Sequence, residues 1–250
     1  MEQNPLSQFA EWTTIGGYDV DVRGRWKTAA ILRQMSLTAQ NHCQIVDPDN
    51  IVFTRYGMFW VLMRAKVELG RSPAEGEKVE VLTKASAEKG RVFNRLFLFR
   101  TEKGEQIGAA STIWLLLNMT TRSIGRLPDD SGLTRYVASE FSWPTAEPRS
   151  IRCNLPVTET QTRRVRYSDL DMNRHMNNAR YMEWVVDLLG LPRLQAAFLR
   201  EFQINYLKEA TWGMDIETTL MEKGEDFCVR GKDLAGGAVL FEACGKLTPE

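Results

Sequence analysis

The densest grouping of reactive side chains in the chain is "SDLDMNRHMNNARYMEWVVDLL", Ser168 to Leu189. Its first eleven residues hold two carboxylates, three Asn side chains and His175, one of only two histidines in the chain. A His beside a carboxylate can bind or move a proton, and an Asn can orient water or a substrate carbonyl. The residues that follow turn amphipathic. Tyr181, Trp184, Val185 and Leu188 keep the i, i+3, i+4, i+7 spacing of a helix with one buried stripe. Asn177 or Asn178 can cap that helix by accepting an orphan backbone N–H. The polar cluster therefore ends at a helix N-terminus, where free N–H groups and the positive dipole end can hold a carbonyl oxygen gaining negative charge. That combination suits acyl chemistry.

Taken as extended chain, Asp169, Asp171, Asn173 and His175 point to one face, with Leu170 and Met172 on the other. A plainer reading stands beside it, because Asp-x-Asp-x-Asn before a helix is also a turn and capping composition. A calcium loop fits poorly: Arg174 and His175 stand where such a loop needs oxygens and a glycine.

The elements that position this cluster follow one plan twice. A helix over about Trp26 to His42 precedes a strand-rich run from Val79 to Asn118, which Gly90 and Lys103-Gly104 divide into three antiparallel strands. A second helix over Asn178 to Leu189, closed by Gly190 and Pro192, precedes a similar run from Met214 to Leu247, with turns at Lys223-Gly224 and Gly236-Gly237. The helix entrances align with each other. "DVDVRGRWKTAA" from Asp19 falls on "DLDMNRHMNNAR" from Asp169, and "GEKVEV" from Gly76 falls on "GMDIET" from Gly213. This pattern predicts an internal duplication, with an N-terminal unit over 1–130, a linker over 131–156 and a C-terminal unit over 157–250. Arg23 and Arg25 occupy the places of Asn173 and His175, so the polar constellation belongs to the second half alone.

Bulk properties set limits. The 250 residues carry equal numbers of acidic and basic groups and are 43% hydrophobic. No global field favours nucleic acid or an anionic membrane. The longest apolar run, Ile113 to Leu117, is too short to span a bilayer. The start, Met1 to Pro5, lacks signal-peptide features. Cys43, Cys153, Cys228 and Cys244 form no CxxC pair and read as reduced thiols. A cytoplasmic protein is expected, with no metal or organic cofactor.

The segment from Ser168 to Trp184 resembles the signature of the acyl-ACP thioesterases, SDLD-(M/V)-N-x-H-(V/M)-NN followed by a helix with Tyr and Trp. "VELGRSPAEGEKVEVLTKASAEKGRVFNRLFLFR" and "GAASTIWLLLNMTTRSIGRLP" extend the similarity through the first half, so that it covers about Tyr18 to Leu247. The resemblance implies an α+β tandem hotdog, each half a curved antiparallel sheet wrapped around a long helix. It implies hydrolysis of fatty acyl-[acyl-carrier-protein] by water. It assigns Asp171, Asn173 and His175 to the active site, and Glu209 through the segment "INYLKEATWGMDI". Plant members carry Cys where this chain has Ala210, so a cysteine nucleophile cannot act there. On this view Glu209 activates water, His175 and Asn173 hold the water and the thioester carbonyl, and Asp171 fixes its neighbours. Amides near Asn177 and Asn178 stabilise the oxyanion. Glu209 as a solvated strand carboxylate remains the alternative.

Arg163, Arg164, Arg166, Arg174 and Arg180 outnumber the acids around the motif and could draw in an acidic acyl carrier protein or coenzyme A. Arg122 and Arg126 could add to the patch. Arg164 and Arg166 also fit a solvated strand face. Met35, Phe59, Trp60, Met63 and Trp114 are candidates for an acyl tunnel, or for plain core. A hydratase of the same fold usually has Pro where Arg174 stands and lacks the Asn pair. A non-catalytic acyl- or carrier-binding module would not need His175 or Glu209. Either a monomer or a homodimer is compatible with two units in one chain.

Overall fold

Alternation of apolar and polar side chains drives most of the chain into strands, and two amphipathic helices supply the apolar layer that covers them. The computed structural model describes residues 5–86, 90–137, 142 and 144–249. The N-terminal reading at Met1 to Asn4, and the linker positions 138–141 and 143, lie outside the described residues. The first half contains β1 (Gln8–Thr14), α1 (Thr28–Val46), a short α2 (Ile51–Thr54), β2 (Met58–Leu69), β3 (Lys78–Ala85), β4 (Phe93–Thr101) and β5 (Gln106–Asn118). The second contains β6 (Val157–Arg164), α3 (Asn178–Leu189), a short α4 (Leu191–Ala196), β7 (Ala197–Tyr206), β8 (Asp215–Lys223), β9 (Asp226–Asp233) and β10 (Val239–Pro249). Helix α3 has the bounds its sequence predicts. Helix α1 starts two residues later than expected and runs four further.

All the strands form one antiparallel sheet in the order β1-β3-β4-β5-β2-β7-β10-β9-β8-β6. The order is palindromic. Each half contributes its first, third, fourth, fifth and second strands from the edge inward, and the halves join where β2 pairs with β7, from Arg64↔Asn205 to Glu68↔Glu201. This is a hotdog-like arrangement. One continuous core spans both halves: Ile31 and Met35 of α1 and Met182 and Val185 of α3 pack with Val67, Phe97, Phe202 and Phe241 of the sheet. Each such side chain stabilises the fold by about 1.5–3 kcal/mol at most. Helices α1 and α3 meet at Arg33 and Glu183, which are 3.1 Å apart and separated by the same 150 positions as the two motif copies.

The segment expected to be a plain linker is tied down. Strand β5 lies beside the central joint while β6 lies at the far edge, so the chain must cross the sheet to begin its second half. It does so over the polar side of the central strands. The Thr145 hydroxyl donates to Ser111 Oγ at 2.7 Å, Arg64 donates to the Pro148 carbonyl at 3.3 Å, and the Arg149 carbonyl accepts from the Asn205 side chain at 3.0 Å. These groups would otherwise be desolvated without partners.

Candidate active site

Helix α3 sets the site's floor. The Asn177 side-chain oxygen accepts the Ala179 N–H at 3.0 Å and caps the helix, while the Asn177 N–H donates to the Asp169 carbonyl at 2.8 Å. The Asn178 N–H has no acceptor among the described residues and is free for an oxygen that gains charge. Tyr181, Trp184, Val185 and Leu188 are all buried, so the helix is held by its apolar stripe.

The motif itself is not extended, contrary to the sequence reading. Leu170 bridges to Met176 across a tight turn, closed by the Asp171 N–H donating to the His175 carbonyl at 2.8 Å. The cause is Asp171. Its Oδ1 accepts the backbone N–H groups of Asn173 at 2.8 Å and His175 at 3.3 Å, an Asx turn that competes with strand geometry. Arg174 completes the turn at φ 64°, in the left-handed region. Asp169, Asp171, Asn173 and His175 therefore do not share one strand face. Asp169 is buried and accepts the Arg166 N–H, and Asn173 is exposed with no side-chain hydrogen bond among the described residues.

Glu209 comes from 34 positions further along the sequence (209 − 175). It lies past the end of β7 rather than in a strand. Its Oε2 is 3.4 Å from His175 Nε2, with the imidazole mostly covered and the carboxylate about half exposed. Three contacts fasten this segment to the motif. The Met176 N–H donates to the Ala210 carbonyl at 2.8 Å, Thr211 bridges to His175, and the Ala210 N–H donates to the Tyr181 hydroxyl at 3.1 Å. Burial pushes the Tyr181 phenol up to about 12, so it stays neutral. The Tyr206 hydroxyl donates to the Asn178 carbonyl at 2.9 Å and stiffens the helix entrance. The remaining oxygen of Glu209, Oε1, faces Arg122 Nη1 at 3.6 Å. The sequence reading placed Arg122 only in a carrier patch. A basic residue after a strand in the other half gives no local signal of that contact.

The first half holds the same backbone without the same chemistry. Asp21 Oδ1 accepts the N–H groups of Arg23 at 2.8 Å and Arg25 at 3.1 Å, and the Asp21 N–H donates to the Arg25 carbonyl at 2.8 Å. Gly24 takes the left-handed position that Arg174 fills in the second half. Trp26 N–H donates to the Pro73 carbonyl as Met176 does to Ala210, which sets Ser72 in the place of Glu209. A largely apolar cavity of about 100 Å³ opens beside this copy, between Arg25, Lys27, Trp26, Val186 and Phe198. It lacks a His and a carboxylate paired as His175 and Glu209 are. The turn is thus a property of the fold, and the His175–Glu209 pair is an addition to it.

The remaining expectations divide. Arg163 pairs with Asp187 at 2.6 Å and lies over the Trp184 ring, Arg164 pairs with Asp215 at 2.5 Å, and Arg180 pairs with Glu183 and donates to the Ser168 carbonyl. Arg166 and Arg174 have no ion pair among the described residues. Met35 belongs to the main core, while Trp60 and Trp114 pack around Phe93 in a second cluster and Phe59 lies beneath the Arg122 guanidinium. The other histidine, His42, is buried in α1, stacked on Phe9 and bonded to the Leu6 carbonyl, and burial lowers its basicity. Burial also pushes the thiols of Cys228 and Cys244 up, the latter to about 11, which leaves them poor nucleophiles.

Family models for the acyl-ACP thioesterase N-terminal and C-terminal domains match residues 7–133 and 155–240. A palmitoyl-acyl carrier protein thioesterase of Gossypium hirsutum is 24% identical over 80% of this chain and 52% of its own length. The oleoyl-acyl carrier protein thioesterase 1 of Arabidopsis thaliana is 27% identical over 80% of this chain and 60% of its own length. The chain thus spans about half the length of the first of these curated relatives. The crystal structure of an acyl-ACP thioesterase from Bacteroides thetaiotaomicron superimposes with TM-score 0.87 at 24% identity, over 96% of this chain and 98% of that one. The 12:0-ACP thioesterase of Umbellularia californica also gives TM-score 0.87, at 21% identity over the whole of both chains. The structural likeness carries the fold, the family models carry membership, and the chain belongs to the acyl-ACP thioesterase family.

Proposed function

We propose that the protein hydrolyses fatty acyl-[acyl-carrier-protein] to a free fatty acid and the carrier thiol. It would do so as a tandem hotdog whose N-terminal unit (1–130) and linker (131–156) support a catalytic C-terminal unit (157–250). The carrying observation is the His175–Glu209 pair, 3.4 Å apart, with His175 three residues before Asn178, whose N–H has no acceptor among the described residues, in a chain of this family. A thioester needs no protein nucleophile, because its thiolate leaves readily and a positioned water with a carboxylate base is sufficient. Glu209 takes a proton from water as the water oxygen bonds to the carbonyl carbon. The resulting oxyanion is held by the Asn178 N–H at the capped end of α3, with Asn177 maintaining the cap. When the C–S bond breaks, the departing sulfur takes a proton delivered from Glu209 through His175. Asn173, exposed at the turn, orients substrate, and Asp171 shapes the turn. The carrier approaches Arg166 and Arg174, with Arg163, Arg164 and Arg180 contributing through their ion-paired surfaces. No cofactor, nucleic acid or membrane takes part. A cytoplasmic location and a monomeric or homodimeric state complete the reading.

Purified protein supplied with acyl-ACP and acyl-CoA of several chain lengths, with thiol release measured, tests this directly. Turnover of acyl-ACP is expected, and it should fall about 100-fold or more in Glu209→Gln. Release from neither carrier would overturn the reading, and preferential release from acyl-CoA would make the protein a coenzyme A thioesterase instead.

A further inference from the structure

We propose that Arg122 is a positioning residue for Glu209, so that the first half supplies a working part of the site built on the second. The proposal rests on the reading of Glu209 as the base. Arg122 Nη1 stands 3.6 Å from Glu209 Oε1, while the other oxygen of the same carboxylate faces His175 at 3.4 Å. The carboxylate is therefore held at both ends, by a cation from one half and an imidazole from the other. A carboxylate about half exposed, on a connection after a strand, would otherwise rotate freely between solvent-facing rotamers.

The placement of Arg122 is built rather than incidental. Beyond β5 the chain folds back, with Leu117 bridging to Ile124. The Asn118 side-chain oxygen fixes the turn by accepting the N–H groups of Thr120 at 3.0 Å and Thr121 at 2.9 Å. The Arg122 N–H then donates to the Asn118 carbonyl at 2.9 Å. Arg122 itself sits at φ 55°, a left-handed conformation that is unfavourable for a side chain of its kind and persists only where its surroundings enforce it. Its guanidinium lies over the Phe59 ring, 5.2 Å from the centroid, which limits its swing while leaving its N–H groups at the edge free for the carboxylate. Arg122 touches no reacting atom. It acts by keeping Glu209 turned toward His175, 3.4 Å away. Arg163, Arg164 and Arg180 pair instead with Asp187, Asp215 and Glu183.

The test is a double-mutant comparison on the full chain with acyl-ACP as substrate. It uses wild type, Arg122→Met, Arg122→Lys, Glu209→Gln and the Arg122→Met/Glu209→Gln pair, each checked for folding by its melting curve. Arg122→Met is expected to lower kcat about 10-fold with KM within about twofold, Arg122→Lys to recover part of the loss, and the Met substitution to cost nothing further once Glu209 is Gln. A change confined to KM would assign Arg122 to carrier docking and overturn the proposal, as would an equal loss in the Glu209→Gln background. If Arg122→Met does not fold, Arg122→Lys carries the same comparison, and persistence of its loss in the Gln background overturns the proposal. Full loss in Glu209→Gln with Arg122→Met unaffected overturns the proposal alone. Undiminished turnover in Glu209→Gln by itself removes the base assignment and the proposal together.

Discussion

Replacing Asp171 separates a residue that shapes the site from one that reacts in it, and the chain contains its own control. Asp171 Oδ1 accepts two backbone N–H groups, at 2.8 and 3.3 Å, and Asp21 Oδ1 accepts the equivalent two at 2.8 and 3.1 Å. Hydrogen bonds to a charged acceptor contribute about 1.5–3 kcal/mol each when well formed. The longer bond and partial solvent exposure reduce this, so about 2 kcal/mol per turn is a fair figure. For a chain of this size that lowers the melting temperature by roughly 4–8 °C. Asp171→Ala and Asp21→Ala should therefore destabilise alike, because the turns match bond for bond.

Their effects on turnover should differ. Losing the Asp171 turn frees the His175 backbone, and a displacement of about 1 Å at a catalytic group can cost on the order of 100-fold in rate. Losing the Asp21 turn moves Arg25, which takes no part, so kcat should stay within about twofold. Asp171→Asn keeps an oxygen acceptor in place and should preserve most of the activity. Calorimetry and acyl-ACP turnover on the three variants decide the matter. If Asp171→Asn melts like the wild type yet is as inactive as Asp171→Ala, the carboxylate's charge enters the chemistry, and a purely shaping role for Asp171 is refuted.

Two further substitutions probe the surroundings. Arg174→Gly removes a positive charge that has no ion pair among the described residues, at a left-handed position where the first half already uses Gly24. The melting temperature should hold or rise slightly, while KM for acyl-ACP rises and becomes less sensitive to salt. An unchanged KM removes Arg174 from carrier recognition. Tyr181→Phe orphans the buried Ala210 N–H, so stability should fall by about 1–3 kcal/mol and kcat should drop as Glu209 loses its anchor. A variant with wild-type turnover would show that the anchor is dispensable. The same phenol ionises near 10 when exposed and near 12 in the folded protein. Its contribution is present in full below pH 10 and is lost as pH climbs toward 12, up to about 1.4 kcal/mol per pH unit. Alkaline melting of the wild type should show a steeper loss over that window than Tyr181→Phe does.

What was legible in the sequence is what local rules govern. The stripe at Tyr181, Trp184, Val185 and Leu188, the Asn177 cap and the stop at Gly190 all depend on neighbours within a few residues, and helix α3 appears with the bounds they predict. The strands after Gly76 and after Gly213 announce themselves by alternation and turn residues. The path through Asp169 to His175 did not, because alternation of polar and apolar residues is compatible with a strand until Asp171 bends back to take two backbone N–H groups. Charge counting around the motif gave no sign of the ion pairs these arginines make. Three of the five arginines expected to face a carrier are engaged with acids that are remote in sequence or a helical turn away. The meeting of Glu209 with His175 needed the resemblance, since no periodicity joins a connection after β7 to a turn before α3. The linker's path across the sheet depends on strand order, which no local pattern carries.

The palindromic sheet explains why comparison within this one chain is informative. Two copies of a turn, each entering a helix, sit in related surroundings on either side of the β2–β7 joint. Residues that the backbone requires must persist in both, and they do: Asp21 with Asp171, and the carbonyls of Asp19 and Asp169 that accept from the residue before each helix. Residues of the proposed site need persist in only one, and the differences fall at Arg25 against His175, Arg23 against Asn173 and Ser72 against Glu209. Two halves in one chain also permit what a symmetric pair of identical chains could not. Position 33 and its counterpart 183 face each other between the helices, and identical residues there would place like charges together, whereas Arg33 and Glu183 form a pair. Once the halves may differ at their axis they may differ in their sites. One turn then keeps His175 opposite Glu209, while the other half brings Arg122 to within 3.6 Å of the same carboxylate from the hairpin beyond β5.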